Sequence, residues 1–258
     1  MLRGFQAAAS GMYAQQRKTD MLTNNMANVN TAGFKEDQAA IRAFPEMLLQ
    51  RLDSSSRAKE VGSINTGVYM QETIPRFVQG DLRQTDRQTD LALTDIAGGP
   101  VFFTVESDGE TKYTRNGRFT IDADGVLTTG SGWPVLDDNG NRITLNSDQF
   151  IVDRNGNIEE NGELIARLGI ASTETPEMLI KEGSGLFRTE DGTPLGNAAE
   201  NVSYSVTQGF MEASTVDPSR TMSEMLTAYR AFEANQKILQ AYDRSMEKTV
   251  NEVGRVNG

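Results

Sequence analysis

Apolar side chains recur at helical spacing over the first thirty residues: Leu2, Phe5, Ala9 and Met12 step by three and four, and Leu22, Met26 and Val29 resume the series. Between them Ala7 to Gly11 (AAASG) is a run of small residues, which predicts that a partner helix can approach closely. The pattern fades at Asn28, Asn30 and Gly33, residue types that suit a helix C-terminus. The far end of the chain is periodic again. Asp217-Pro218 supplies an N-cap and a proline at the first helical position, and Thr221 with Glu224 offers a competing capping box. A seven-residue spacing then runs through Met225, Phe232, Leu239, Met246 and Val253, apolar throughout. A companion series, Met222, Tyr229, Gln236, Asp243 and Val250, is apolar at three of its five positions. Heptads held this long predict a coiled coil. The two amphipathic segments are expected to pair with each other, because an apolar stripe left wet costs about 25 cal/mol per Å².

Between these ends the texture is β. Val101–Val105 (VFFTV) reads as a short buried strand, and Tyr113–Ile121 (YTRNGRFTI) as two strands around an Asn116-Gly117 hairpin turn. Further turn signals stand at Asp108-Gly109, Asp124-Gly125, Asn139-Gly140, Asn155-Gly156, Asn161-Gly162 and Asp191-Gly192. Short apolar segments lie between them, including Phe150–Val152, Leu164–Ile170 and Tyr204–Val206, which implies an antiparallel sheet, barrel or sandwich. Residues 50–67 are polar, Ser- and Gly-rich and without period, and read as an exposed loop. The expected organisation is α+β: an N-terminal helix in 1–35, a linker or extended loop in 36–76, an inserted antiparallel β-rich domain in 77–212 and a C-terminal helix in 213–258, with the two terminal helices paired as a coiled coil.

Charge and composition narrow the function. The 258 residues carry a net charge of −11, which argues against a nucleic-acid partner. Residues 1–35 have four basic side chains against Asp20, and 213–258 balance six against six, so the acidity is concentrated in the middle. Cysteine and histidine are absent, removing thiol chemistry, the commonest metal ligand and the commonest general base near neutral pH. The N-terminus lacks the continuous apolar stretch of a signal peptide, and no segment is apolar enough for a membrane span, so no membrane insertion is expected.

Three motifs carry a resemblance. Asn24 to Lys35 reads NNMANVNTAGFK and resembles the N-terminal signature of flagellar rod, hook and hook-associated proteins, NN-x-AN-x-x-T-x-GFK. Ala213 to Leu239, with Ser214, Val216, Asp217, Glu224, Met225, Arg230, Phe232, Glu233, Asn235 and Lys237, resembles the same family's C-terminal signature. Gln79-Gly80-Asp81-Leu82, Phe102-Phe103, YTRNGRF and Gly125-Val126-Leu127 are similar to its central segments. The departure is Gly98-Gly99-Pro100-Val101, where the family usually shows G-x-G before the double Phe.

The resemblance implies a structural subunit and not an enzyme, with no cofactor and no metal. It implies helical self-assembly into the rod that joins motor to hook and transmits torque. Partners would be copies of itself, other rod proteins, the hook protein and the flagellar type III export apparatus, in the basal body of the cell envelope. The chain is shorter than the family's hook proteins usually are, which leaves the distal rod protein and its proximal relative, and the distal type is favoured. Alternatives are a proximal-rod or other hook–basal-body paralogue, or a non-axial adaptor linked to export. The implied assembly residues are Asn24, Asn25, Ala27, Asn28, Thr31, Gly33, Phe34 and Lys35 in the first motif. In the C-terminal seam they are Met225, Tyr229, Phe232, Asn235, Leu239 and Met246.

Bland readings compete with some of these. Asn24 and Asn28 share a helix face at i, i+4 and could bond across an interface, or could merely end the helix. The strings Asp122–Gly125 and Asp153–Gly156 hint at calcium, but neither has the glycine and glutamate spacing of an EF-hand, so hairpin turns are expected. Glu159 and Glu160 could suggest a glycosidase pair, yet adjacent acids are normally a solvated turn.

Overall fold

A computed structural model of the chain describes residues 2–45, 47–52, 58–64 and 67–255. Two terminal helices and an antiparallel β-rich body give the α+β class. The chain divides into two compact units. A helical unit takes Met1–Met26, Asp37–Ile74 and Pro218–Gly258, and a β unit takes Ala27–Glu36 and Pro75–Asp217.

The helical unit opens with α1, Leu2–Ala27, which buries Ala8, Ala14, Met21 and Leu22. Ser10, Thr19 and Thr23 turn their hydroxyls back onto the carbonyls of Ala7, Gln15 and Thr19, which keeps these poor helix formers satisfied inside it. Four strands follow: β1 (Asp37–Ala43), β2 (Met47–Leu52), β3 (Ala58–Ile64) and β4 (Val68–Pro75). β1 pairs with β4, and β2 pairs antiparallel with β3 through a bulge at Leu49/Gln50. The loop expected at 50–67 is therefore largely a two-stranded ladder, with 53–57 and 65–66 outside the described residues. A ladder satisfies its backbone groups whatever its side chains, and neither MLLQRL nor AKEVGSI alternates strictly between apolar and polar residues, so the period-two signal is missing.

The β unit strings together β5 (Leu82–Gln84), β6 (Leu91–Ala97), β7 (Val101–Ser107), β8 (Glu110–Thr114), β9 (Phe119–Ile121), β10 (Leu127–Thr129), β11 (Phe150–Val152), β12 (Asn157–Glu160) and β13 (Glu163–Arg167). It continues with β14 (Ile170–Ser172), β15 (Leu179–Lys181), β16 (Leu186–Thr189), β17 (Gly196–Asn197), the one-turn α2 (Ala198–Asn201), β18 (Ser203–Gln208) and β19 (Phe210–Glu212). Six strands form one sheet in the order β15-β16-β8-β7-β14-β17, and β11-β12-β13 form a second. The pairs β18–β6, β19–β5 and β10–β9 complete the unit.

The double Phe explains the centre. Successive strand residues face opposite ways. Phe103 joins a core of Leu91, Val105, Leu127, Val135 and Ile158 and meets Phe119 edge-on at 5.0 Å. Phe102 joins a second cluster with Tyr113, Leu179 and Phe187, packed on by Phe77. The strand is buried on both faces, as its unbroken apolar run predicts.

Two turn predictions resolve differently. Asp108-Gly109 closes the β7–β8 hairpin and Asn161-Gly162 the β12–β13 hairpin, each with both residues at positive φ, as a type I′ turn requires. Asn116-Gly117 is not a hairpin. β8 pairs with β7 and β16, and β9 with β10. Gly117 instead runs flush under Leu91, whose N–H donates to its carbonyl at 2.9 Å, and any side chain there would overlap the Leu91 carbonyl.

Helix α3, Pro218–Arg255, returns to the helical unit and begins at the predicted proline. Its partly buried line contains Met225, Phe232, Leu239 and Met246, as the heptad predicts. The side chain of Val253 lies outside the described ones. The companion line is different from the expected one: it is Thr221, Ala228, Asn235 and Tyr242, while Met222, Tyr229, Gln236, Asp243 and Val250 are exposed. Counting apolar residues selected the wrong neighbours, because those that pack are mostly small or polar. Tyr242 lies against Gly4 and Asn235 against Gly11, so glycines on α1 leave the room that these side chains occupy.

Candidate functional site

The first motif ends inside the β unit. After α1 the chain turns at Asn28, whose carbonyl accepts from the Thr31 amide and whose Oδ1 accepts from Thr31 Oγ1, both at 3.1 Å. Gly33, Phe34 and Lys35 are buried. Gly33 has φ +66°, a conformation suited to glycine, and a Cβ there would collide with the Arg115 carbonyl. Phe34 receives the Lys181 ammonium over its ring at 3.7 Å.

This N-terminal crossing is stitched to the C-terminal one. The Gly33 amide donates to the Glu212 carbonyl at 2.9 Å, the Thr215 amide to the Phe34 carbonyl at 3.1 Å, and the Glu36 amide to Thr215 Oγ1 at 2.9 Å. Beneath the stitches lies an ion network. Lys35 Nζ donates to Glu212 Oε1 at 2.7 Å and to the Val78 carbonyl at 2.6 Å. Glu212 Oε1 also accepts from the Gly80 amide at 2.7 Å, and its Oε2 from Arg115 Nε at 2.6 Å. The rest of the Arg115 guanidinium grips Asp95 at 2.7 and 3.1 Å, Gln79 Oε1 at 2.7 Å, and the carbonyls of Leu93 and Val101.

The side chains of Lys35, Glu212 and Arg115 are at most 2% exposed, and Asp95 is 23% exposed. Two cations face two carboxylates, so the cluster is neutral, the condition under which buried charge is tolerated. Burial pulls the Lys35 ammonium below the ordinary lysine value; Glu212 opposes that shift and Arg115 adds to it. Burial works against the Arg115 charge as well, but Glu212 and Asp95 outweigh it and hold the guanidinium above its ordinary value. These charges are fixed structural contacts: Lys35 is held by Glu212 and the Val78 carbonyl, and Arg115 by Glu212, Asp95, Gln79 and two backbone carbonyls.

Among the other candidates, Asn25 is fully buried: its Nδ2 donates to the Asp37 carbonyl at 2.9 Å and its Oδ1 accepts from the Asp37 amide at 3.0 Å. Asn24 and Ala27 are exposed. On α3, Met225, Phe232, Asn235, Leu239 and Met246 share the partly buried line, whereas Tyr229 stands on the exposed face. Sequence reasoning quoted Gln79 and Arg115 within motifs but gave them no role, and stopped one residue short of Glu212. The available signal was a glutamate and an arginine in apolar strand contexts.

The aspartate strings are turns. Asp122, Asp137 and Asp153 each use Oδ1 to accept backbone amides two and four residues on, at 2.7–3.0 Å. Among the described residues no cluster of three acidic side chains is arranged for a metal ion. Glu159 and Glu160 fall on opposite faces of β12, Glu160 buried and accepting from Asn146, so the expected pair of solvated acids is not there.

The neutral ion cluster joins distant segments of the β unit and acts as a structural clasp within it. Comparison with known proteins agrees. Residues 5–35 match the family described as flagella basal body rod protein, 96–165 the flagellar hook protein FlgE/F/G D1 domain, and 207–252 the flagellar basal body rod FlgEFG protein C-terminal family. The chain is 42% identical to the flagellar hook-basal body complex protein FlhO of Bacillus subtilis, over 99% of this chain and all of that one. It is 32% identical to the flagellar basal-body rod protein FlgG of the same organism, over 97% and 99% of the two chains. It is 31% identical to FlgF of Caulobacter vibrioides, over 94% of each. The chain belongs to the flagellar basal-body rod family, whose members are structural proteins and not enzymes.

Proposed function

We propose that this chain is an axial subunit of the flagellar basal body, of the distal rod type, that works by helical self-assembly. In this reading α1 and α3 pair as an antiparallel coiled coil. The contacts of Gly4 with Tyr242 and Gly11 with Asn235 support it: seven residues forward on α1 correspond to seven back on α3. The observation that carries self-assembly is the second stripe. Met222, Leu226 and Tyr229 sit on one face of α3 and are each more than half exposed, although the first seam is already partly covered. A helix with two apolar faces needs more than one partner.

The copies would stack with the terminal helices packed along the axis, and many modest contacts would together carry torque. Its neighbours would be other rod proteins and the hook protein, reached through the flagellar type III export apparatus. Nearly full-length cover of both FlgG and FlgF supports a rod subunit of this length.

The test replaces Leu239 or Phe232 by Asp in the full chain and follows incorporation into isolated hook–basal bodies. The expected result is a folded β unit and no incorporation. Normal motility with either variant would sink the reading. A tagged wild-type chain absent from purified hook–basal bodies would favour a non-axial adaptor instead.

A further inference from the structure

We infer that Glu212 is the positioning residue that holds the two chain crossings in one register, and that Lys35 is the removable plug that locks the N-terminal crossing into it. The inference rests on how Glu212 divides its contacts. Its backbone carbonyl takes the Gly33 amide, and its carboxylate takes Lys35, so one residue addresses both the backbone and the side chain of the crossing. The same carboxylate is held from the other side by the Gly80 amide and Arg115 Nε.

The two partners are not equivalent. Without Lys35, Glu212 keeps Arg115 and the Gly80 amide, so its charge stays paired and the socket remains whole. Without Glu212, the Lys35 ammonium keeps only the Val78 carbonyl and sits buried near Arg115, an uncompensated charge. Socket and plug both lie in the β unit, but they stand 177 residues apart in the chain. Contacts of such long sequence separation form only after a large loop has closed. The crossing is therefore a separately releasable element: it can undock while the β core stays closed.

Each of the three matched family segments supplies one member, Lys35 at the end of the first, Arg115 within the second and Glu212 within the third. The junction of all three is where the chain enters and leaves the β unit. Its bearing on assembly rests on the proposed axial role. A seated plug would present both terminal arms from one fixed origin.

The experiment is amide hydrogen exchange on the full-length monomer, comparing wild type with Lys35→Met. The amides of Gly33, Glu36 and Thr215 should exchange roughly a hundredfold faster, the order expected for losing the charge-assisted hydrogen bonds from Lys35 to Glu212 and the Val78 carbonyl. Those of Phe103 and Thr104 should keep their protection. Equal loss in both sets would make Lys35 ordinary core and overturn the inference, and so would no change at Gly33 and Thr215. The double exchange Lys35→Glu with Glu212→Lys separates a three-way socket from a simple pair. It should fail to restore protection, because a lysine at 212 would face Arg115; recovery would overturn the role of Glu212. Incorporation of Lys35→Met into hook–basal bodies is measured alongside and should fall. Full incorporation despite a released crossing would overturn the link to assembly, and leave the axial reading, tested through Leu239, to stand separately.

Discussion

The β unit and the helical unit bury their chains in different ways. In the β unit Phe102, Phe103, Phe119, Phe150 and Phe187 are almost wholly enclosed, together with Leu91, Leu93 and Leu127. In the helical unit the buried positions are largely small, Ala8, Ala14, Ala228 and Thr221, with Leu22 and Met21 as the large exceptions. Its bulky apolar groups stand outside: Tyr13, Met222, Leu226, Tyr229, Ile238 and Val250. Large apolar groups also stand exposed in the β unit, Ile96, Ile151 and Leu164 among them. The units differ in what they enclose: the β unit has a core of large side chains, the helical unit one of mostly small ones, and each large side chain left half-buried forgoes about 1 kcal/mol or more.

The comparison breaks most sharply with Phe103→Ala. The side chain is fully buried and meets Phe119 edge-on, and its loss should cost about 3–5 kcal/mol. Urea unfolding followed through aromatic circular dichroism would show it. A cost under about 1 kcal/mol would mean that the β core is no more complete than the helical unit. Next comes Gly33→Ala. An alanine there meets the left-handed backbone, about 1–2 kcal/mol, and the rigid Arg115 carbonyl besides. The expected total of about 2–3 kcal/mol should fall on the crossing, seen as faster exchange at Thr215. Unchanged exchange would show that the crossing is not tightly seated.

The sequence showed the two helices because amphipathic heptads are a local, repeated signal. α3 begins at Pro218 as read, and Met225, Phe232, Leu239 and Met246 share a partly buried line along it. The companion line was misread because Thr221 and Asn235 carry no apolar label; Asn235 packs where α1 offers Gly11. The β2–β3 ladder was silent because neither MLLQRL nor AKEVGSI alternates strictly between apolar and polar residues. Asn116-Gly117 misled because its turn propensity is local, whereas its use is set by Leu91, distant in sequence. The clip was only half legible: Gly33, Phe34 and Lys35 were flagged by the motif, but their partners Glu212, Arg115 and Asp95 are joined to them only by the fold.

A third prediction falls on the helical unit. Asn25→Ala removes both hydrogen bonds to the Asp37 backbone at a fully buried position. The cost should be about 1–3 kcal/mol, smaller than that of Phe103 and confined to the turn from α1 into β1. Thermal scans at 222 nm should shift while the aromatic signal of the β unit holds its midpoint. A shift of both signals together would show that the two units unfold as one and would remove the contrast drawn between them.

The smallest expected effect is electrostatic and belongs to the β unit. Burial pushes the Asp153 carboxyl up, but the amide and side chain of Asn157 and the amides of Asn155 and Gly156 outweigh it and hold it below the ordinary value. Glu182 is likewise lowered, chiefly by its hydrogen bond from Lys112, and Asp191 by Thr193. A carboxylate whose folded pKa lies below its unfolded one stabilises the fold fully above the unfolded value, and that contribution is lost as pH falls through the folded one. The β unit should therefore begin to lose stability below about pH 4. Asp153→Asn keeps an acceptor for the two amides but removes the charge, so at neutral pH it should cost less than about 1 kcal/mol, solvent screening included. On acidification the variant has less left to lose, so its melting temperature should fall less steeply than that of the parent. Parallel acid profiles for the two chains would show that the Asp153 turn is held by its backbone alone.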